Sequence, residues 1–338
     1  MRSEIGIAFG LVLLASTAWA GNIPAAPVFK ITKLVSDQAG KAKNADTNLV
    51  NAWGLSQAPG GPLWVSDNGT GLSTVYNQGT GVNTGLVVTI PSGVPTGTVY
   101  NISGFKISEN GKSGAAQFIF DSEAGIISGW NFSVDSSNAI IAYDGSAQGS
   151  VYKGLAIDTS SELLFAADFH NNQVQIFDSN WNLVGAFTDK SLPKRYAPFD
   201  VAVINGSVYV TFAKQDSAKH DEIDGPGLGY VDVFDEKGNL VKQLTGQGPL
   251  NAPWGMAIAP STFGSFAGDL LVGNFGDGWV NAFDPTTGTY AGPLSTSKGP
   301  IAIDGLWGLD AVPGGDITFS AGPRKENHGL VGLIKVAK

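Results

Sequence analysis

The sequence contains no cysteine, so neither disulfides nor thiolate-bound metals hold this chain together, and a large packed core has to do so. Charge is sparse as well. Asp, Glu, Lys and Arg supply 14 % of 338 residues and leave a formal net charge of −9, which excludes the cationic surface that nucleic-acid binding requires. Only three histidines occur. There is no HExxH motif, no DxDxDG loop and no GxSxG elbow, so the compact signatures of zinc hydrolases, calcium loops and serine hydrolases are missing. Long helices are disfavoured too, because Gly, Pro and β-branched residues interrupt nearly every window and the local hydrophobic period is two.

What is present begins with MRSEIGIAFGLVLLASTAWA. Arg2, an apolar stretch over residues 5–15 and the small-x-small ending Ala18-Trp19-Ala20 predict a signal peptide over 1–20, with a mature chain starting near Gly21. The apolar stretch is shorter than the ~20 residues a membrane helix needs, and no later segment qualifies as a span. An exported protein, periplasmic or extracellular, is expected, with 21–28 as a linker and 29–338 as the folded unit.

A four-part phrase then recurs. Its openings are NAWGLSQAP (51–59), PTGTVYNIS (95–103), YKGLAID (152–158), PFDVAV (198–203), PWGMAIAP (253–260) and LWGLDAVP (306–313). The spacing is roughly 40 to 60 residues, the range of propeller blades. Each opening is followed by a second apolar run (LWVSDN, AQFIFD, LLFAAD, VYVTFAK, LLVGNF, ITFSAG) and by a third that often ends in aromatic-Asp (LSTVYN, IISGWN, VQIFD, YVDVFD, WVNAFD, LVGLIKV). Fourth strands follow five of the six units, and FKITKLVSD (29–37), ahead of the first opening, supplies the missing one. The expectation is an all-β, six-bladed β-propeller of four-stranded blades, closed by the N-terminal strand completing the last blade, which removes exposed sheet edges. Two tandem β-sandwiches would not explain a Gly-containing opening at every fourth strand.

In such a ring the loops between second and third strands lie on the same face as the starts of the inner strands, here called the top. The turns on the opposite face, such as APGGP, PSTFGSFAGD and DEKGN, consist of turn formers and suggest no chemistry. The top loops carry Asp67, Asn68, Glu123, Asp168, His170, His220, Asn274, Asp277 and His328, and two of them, KQDSAKHDEIDGPGLG and GPRKENHG, are long. The starts of the inner strands add Asn51, Trp53, Lys153, Asp200, Trp254, Asp304 and Trp307. Three tryptophans in equivalent places either floor a pocket for a flat ligand or fill the channel.

No cofactor is predicted outright. A divalent metal, calcium or zinc, remains open: Asp168, His170, His220 and His328 are the candidate ligands, provided that they converge within about 2 Å of one ion. Catalytic residues cannot be nominated, since Asp, Ser and His are common on turns, where they cap backbone N–H groups. The repeated Asp178, Asp235 and Asp284, in equivalent bottom turns, are read as structural.

With the repeats laid out, NLVNAWGLSQAP, LWVSDNGTGLSTVYN, KSGAAQFIFDSEAGIISGWN, VYKGLAID, LFAADFHNNQVQIFD, GPGLGYVDVFD, NAPWGMAIAP and AGPRKENHGLVG resemble a family of exported bacterial proteins from about Lys33 onward. Some members of that family end in a PEP sorting signal, of which this sequence carries no counterpart. The family is similar to NHL-type propellers, whose members include scaffolds, ligand binders, lactonases and lyases, so the resemblance implies fold and export rather than one reaction. A lactonase-like metal pattern would place Glu and Asn at the starts of the inner strands, where this chain has Trp53, Lys153, Phe199, Trp254 and Trp307. The leading expectation is a propeller that binds a small molecule, glycan or protein partner through its top face. The alternatives are a metal-assisted hydrolase or lyase at the channel mouth and an envelope or matrix scaffold.

Overall fold

The computed structural model describes residues 27–312 and 315–337; the expected signal peptide and most of the expected linker lie outside the described residues. Six antiparallel sheets succeed one another along the chain, as the recurring phrase predicts. Their inner strands are Ala52–Gln57, Pro95–Tyr100, Tyr152–Asp158, Tyr196–Ile204, Pro253–Ile258 and Leu306–Val312, which begin blades one to six. In the sixth sheet the order runs from Leu306–Val312 through Asp316–Ala321 and Leu330–Val336 to Phe29–Ser36, which pairs antiparallel from Phe29 opposite Val336 to Ser36 opposite Leu330.

Not every blade keeps to four strands. Asn44–Ala45 adds a parallel strand beyond Phe29–Ser36, and Glu222–Ile223 pairs with the second strand of blade four, Ser207–Gln215. Blade two inserts a hairpin, Lys106–Glu109 with Lys112–Ala115, between its first two strands. These additions are short and polar, so no apolar alternation announces them.

Burial follows position in the blade. Second strands such as Leu63–Asp67 and Phe118–Ser122 are buried throughout because neighbouring blades cover both faces, which explains their unbroken apolar runs. Outer strands such as Asn83–Thr89 and Leu183–Phe187 are largely exposed. Large rings fill the wedges between blades: Trp64 of blade one stacks on Phe118 of blade two at 4.1 Å between centroids, and Phe29 meets Phe263 at 5.0 Å.

The inner strands share a further feature, which sets up the channel. In each blade the pairing of inner and second strand slips at the x-Gly or Phe-Asp step of the opening phrase, forming a bulge. There the backbones of adjacent blades approach closely. A Cβ on Gly54 would stand 2.5 Å from the carbonyl oxygen of Thr96 in the next blade, and one on Gly255 would stand 2.5 Å from that of Trp307. Glycine holds this place at 54, 97, 154, 255 and 308; the sixth position is Asp200, whose carboxylate lies over Gly154.

The bottom turns behave as read from sequence. Asp178 Oδ1 accepts from the amides of Asn180 and Asn182, Asp235 Oδ1 from Lys237 and Asn239, and Asp284 Oδ1 from Thr286 and Thr287, all at 2.7–2.9 Å. Hydrogen bonds to the charged form hold all three carboxyls below the ordinary range.

Asp232, in the third strand of blade four, is the opposite case. It is fully buried, and burial together with the neighbouring Asp189 pushes its carboxyl up to about 8. A carboxyl raised in the folded state favours folding below its unfolded pKa, and that contribution is lost as pH climbs through the folded value. Asp232→Asn is therefore expected to stabilise the protein more near pH 9 than near pH 5, by about 1–3 kcal/mol. Urea unfolding at the two pH values measures the difference.

Candidate functional site

The bulges turn Trp53, Trp254 and Trp307 toward the axis. Trp53 and Trp307 stack at 3.5 Å between ring centroids, and Trp254 stands edge-on to both at 5.8 and 5.7 Å. Phe275 stacks on Trp307 at 4.2 Å, and Phe199 lies 5.9 Å from it. The three tryptophans are 1, 4 and 1 % exposed, too buried to offer a stacking surface, so of their two readings the geometry matches filling the channel. Trp254 Nε1 donates to the Lys153 carbonyl at 2.8 Å and Trp307 Nε1 to Asn51 Oδ1 at 3.1 Å. These bonds lock the rings to the strand starts that surround them.

A polar network sits on the upper side of this plug. Asn51, at φ +50°, gives its Nδ2 to Asn68 Oδ1 at 3.1 Å and to Glu326 Oε2 at 2.7 Å. Asn68 in turn donates to Glu123 Oε2 at 2.9 Å. Lys153, whose side chain is 1 % exposed, pairs with Glu123, reaches Asp221 Oδ1 at 3.4 Å, and holds its Nζ 5.2 Å from the Trp53 ring centroid. One ammonium thus faces the carboxyls of Glu123, Asp221, Glu222 and Glu326, drawn from blades two, four and six.

The electrostatics record that imbalance. Burial pulls the Lys153 ammonium down, but Glu123, Glu222 and Asp221 outweigh it and hold the group above the usual lysine value. Burial raises Glu222, and Lys153 brings it only partly back, to about 7. Glu326 is also raised, by burial first and then by Glu123 and Asp221, against the opposing bond from Asn51 and the charge of Lys153. A permanently protonated Lys153 is a fixed positive charge, not a nucleophile.

The histidines do not converge. His328 Nδ1 lies 2.7 Å from Asp37 Oδ2 and its Nε2 3.1 Å from Gln38, beside a separate cavity of about 310 Å³ that Asp304 also lines. Asp304 accepts from the Arg324 amide at 2.8 Å. His220 Nδ1 is 2.7 Å from Asp221 Oδ1, and with Glu123 these form the one group among the described residues whose three ligating atoms lie within 4.8 Å of one another. His170 is half-buried against Gly149, and Asp168 is fully buried, tying Ser150, Val151 and Asn171 together. The candidate set of Asp168, His170, His220 and His328 is therefore not assembled, because the three histidines sit over blades three, four and six of a ring whose centre is filled.

The remaining candidates separate in the same way. Asn274 donates to the Pro249 carbonyl and to Asp277, and Asp277 accepts from the Trp279 amide, bonds that shape the blade-five loop. Asp67 is fully buried, with its carboxyl pushed well above the usual range by desolvation. Asp200 lies on the lower side of the plug, away from the mouth.

No protein-family model matches the chain. An uncharacterized protein of Acanthamoeba polyphaga mimivirus is 34 % identical over 92 % of this chain and 81 % of its own length. A second uncharacterized mimivirus protein is 35 % identical over 92 % of this chain and 86 % of its own length. The chain belongs to their family. Among solved structures, a nidogen/laminin complex contains a chain similar in fold, with TM-score 0.52 and 13 % identity, covering 76 % of this chain and 83 % of that one. Among the described residues no helix is long and apolar enough to cross a membrane.

Reading by residue type missed Asp221, Glu222 and Glu326, although all three lie in the two long top loops that loop length singles out. Their density of acidic residues was the available signal. Their meeting at Lys153 depends on ring closure, which local sequence does not display. Lys153→Met leaves the largely buried Glu123 without its cation and these half-buried or exposed carboxyls facing one another, and should cost about 3–5 kcal/mol near pH 8. The loss should be smaller near pH 5, where Glu222 is protonated; chemical denaturation at both pH values checks it.

Proposed function

We propose that the chain is an exported binding propeller whose top mouth takes a basic side chain, lysine or arginine, from a protein partner. The observation that carries this reading is the unbalanced charge at the mouth: Glu123, Asp221, Glu222 and Glu326 share the single ammonium of Lys153. A second cation brought among them would offset that imbalance, and a guanidinium or ammonium supplies the N–H donors that carboxylates accept. Residues 1–20 support export. The solved structure of similar fold is a complex between two proteins, which accords with a partner-binding role for this architecture.

A second reading has one observation behind it, the grouping of Glu123, His220 and Asp221. Two carboxylates and an imidazole are a donor set for zinc, which would supply a Lewis acid and an acidified water at the mouth. Against it, Lys153 already contacts both carboxylates.

Calorimetric titration with tetralysine, tetraglutamine and zinc separates the two. The binding reading expects salt-sensitive uptake of tetralysine, no uptake of tetraglutamine, and affinity lowered roughly tenfold or more by Glu326→Gln. Zinc binding without tetralysine binding favours the metal reading, and binding of neither overturns both.

A further inference from the structure

The channel that opens on the lower face is not filled. Below the tryptophan plug lies a cavity of about 400 Å³, lined by the later residues of the inner strands and by Pro59 of the first bottom turn. Its lining includes two carboxyls, Asp200 and Asp310, but no lysine, arginine or histidine. Asp310 accepts from Gln57 Nε2 at 2.8 Å. Asp200 is 8 % exposed, and its carboxyl meets only the amide of Val201.

Asp200 is the one departure from glycine in the inner belt, and its carboxyl lies over Gly154, where a Cβ would collide with it. Burial, with the charge of Asp121 added, pushes its carboxyl well above the usual range, so the ionised form lacks a counterion. The walls between the polar groups are aliphatic, Leu155 and Val201 among them.

We propose that this lower chamber binds a small aliphatic ammonium ion, with Asp200 as its principal acceptor and Asp310 and Gln57 at the outer end. The ammonium brings N–H donors and a positive charge to the Asp200 carboxyl, and its hydrocarbon body packs on the aliphatic walls. Anions find no cation there. A calcium ion needs 6 to 8 oxygens, and among the described residues neither Asp200 nor Asp310 belongs to a group of three ligands.

The test is calorimetric titration of the purified protein with n-butylammonium and with cadaverine, using butan-1-ol as the neutral comparator. Saturable amine binding with a Kd of about 1 mM or tighter is expected, with butan-1-ol at least tenfold weaker. Asp200→Asn should weaken the amine roughly tenfold or more, and Asp310→Asn by a smaller factor. Should Asp200→Asn not fold, Asp310→Asn, at a half-buried rim position, carries the test alone. Absence of saturable binding, equal affinity for butan-1-ol, or amine binding indifferent to both positions overturns the proposal; the last outcome places the amine at the top mouth instead.

Discussion

Six inner strands meet around one axis, and at their bulged step there is no room between neighbouring blades for an ordinary side chain. The carbonyl oxygens of Thr96 and Trp307 stand where a Cβ on Gly54 or Gly255 would have to go. Close approach there forces glycine into the belt and turns the preceding residue toward the axis. Where that residue is tryptophan, three rings fill the channel and divide it. The acidic mouth above and the open chamber below both follow from this one packing constraint. The blade that breaks the rule, with Phe199-Asp200 in place of x-Gly, is the one that sends a carboxyl into the lower half.

Charge is then arranged around the plug rather than through it. Lys153 begins blade three on the upper side, where its ammonium lies over Trp53 and gathers acids from blades two, four and six. Buried ion pairs are weak sources of stability but are costly to break, so this cluster fixes the mouth's geometry more than it holds the ring together. The core does the latter, through rings such as Trp64 on Phe118 that wedge adjacent blades.

The repeat, the blade count and the structural role of Asp178, Asp235 and Asp284 were legible because each is a local pattern recurring at fixed offsets. The glycine belt was legible as a motif, though its cause, contact with the next blade, was not. The site was less so. Residue type pointed to His170, His220 and His328, but three loops on different blades meet only if the ring brings them to the centre, and the rings of Trp53, Trp254 and Trp307 occupy that centre. Glu222 and Glu326 are ordinary acids in sequence, and their carboxyls are raised by desolvation at the mouth and by the other acids gathered there. Asp200 stood out as an acid near the axis, but its side of the plug depends on a bulge that no local pattern announces.

The central claim is that the aromatic plug closes the channel. Hydrogen exchange at the indole N–H groups of Trp254 and Trp307, followed by NMR and assigned with single Trp→Phe variants, tests it most directly. Both protons are buried and bonded, to the Lys153 carbonyl and to Asn51, so exchange should occur only at the rate set by global unfolding. Exchange within seconds in the folded protein would mean that water passes between the two halves, and would contradict the account.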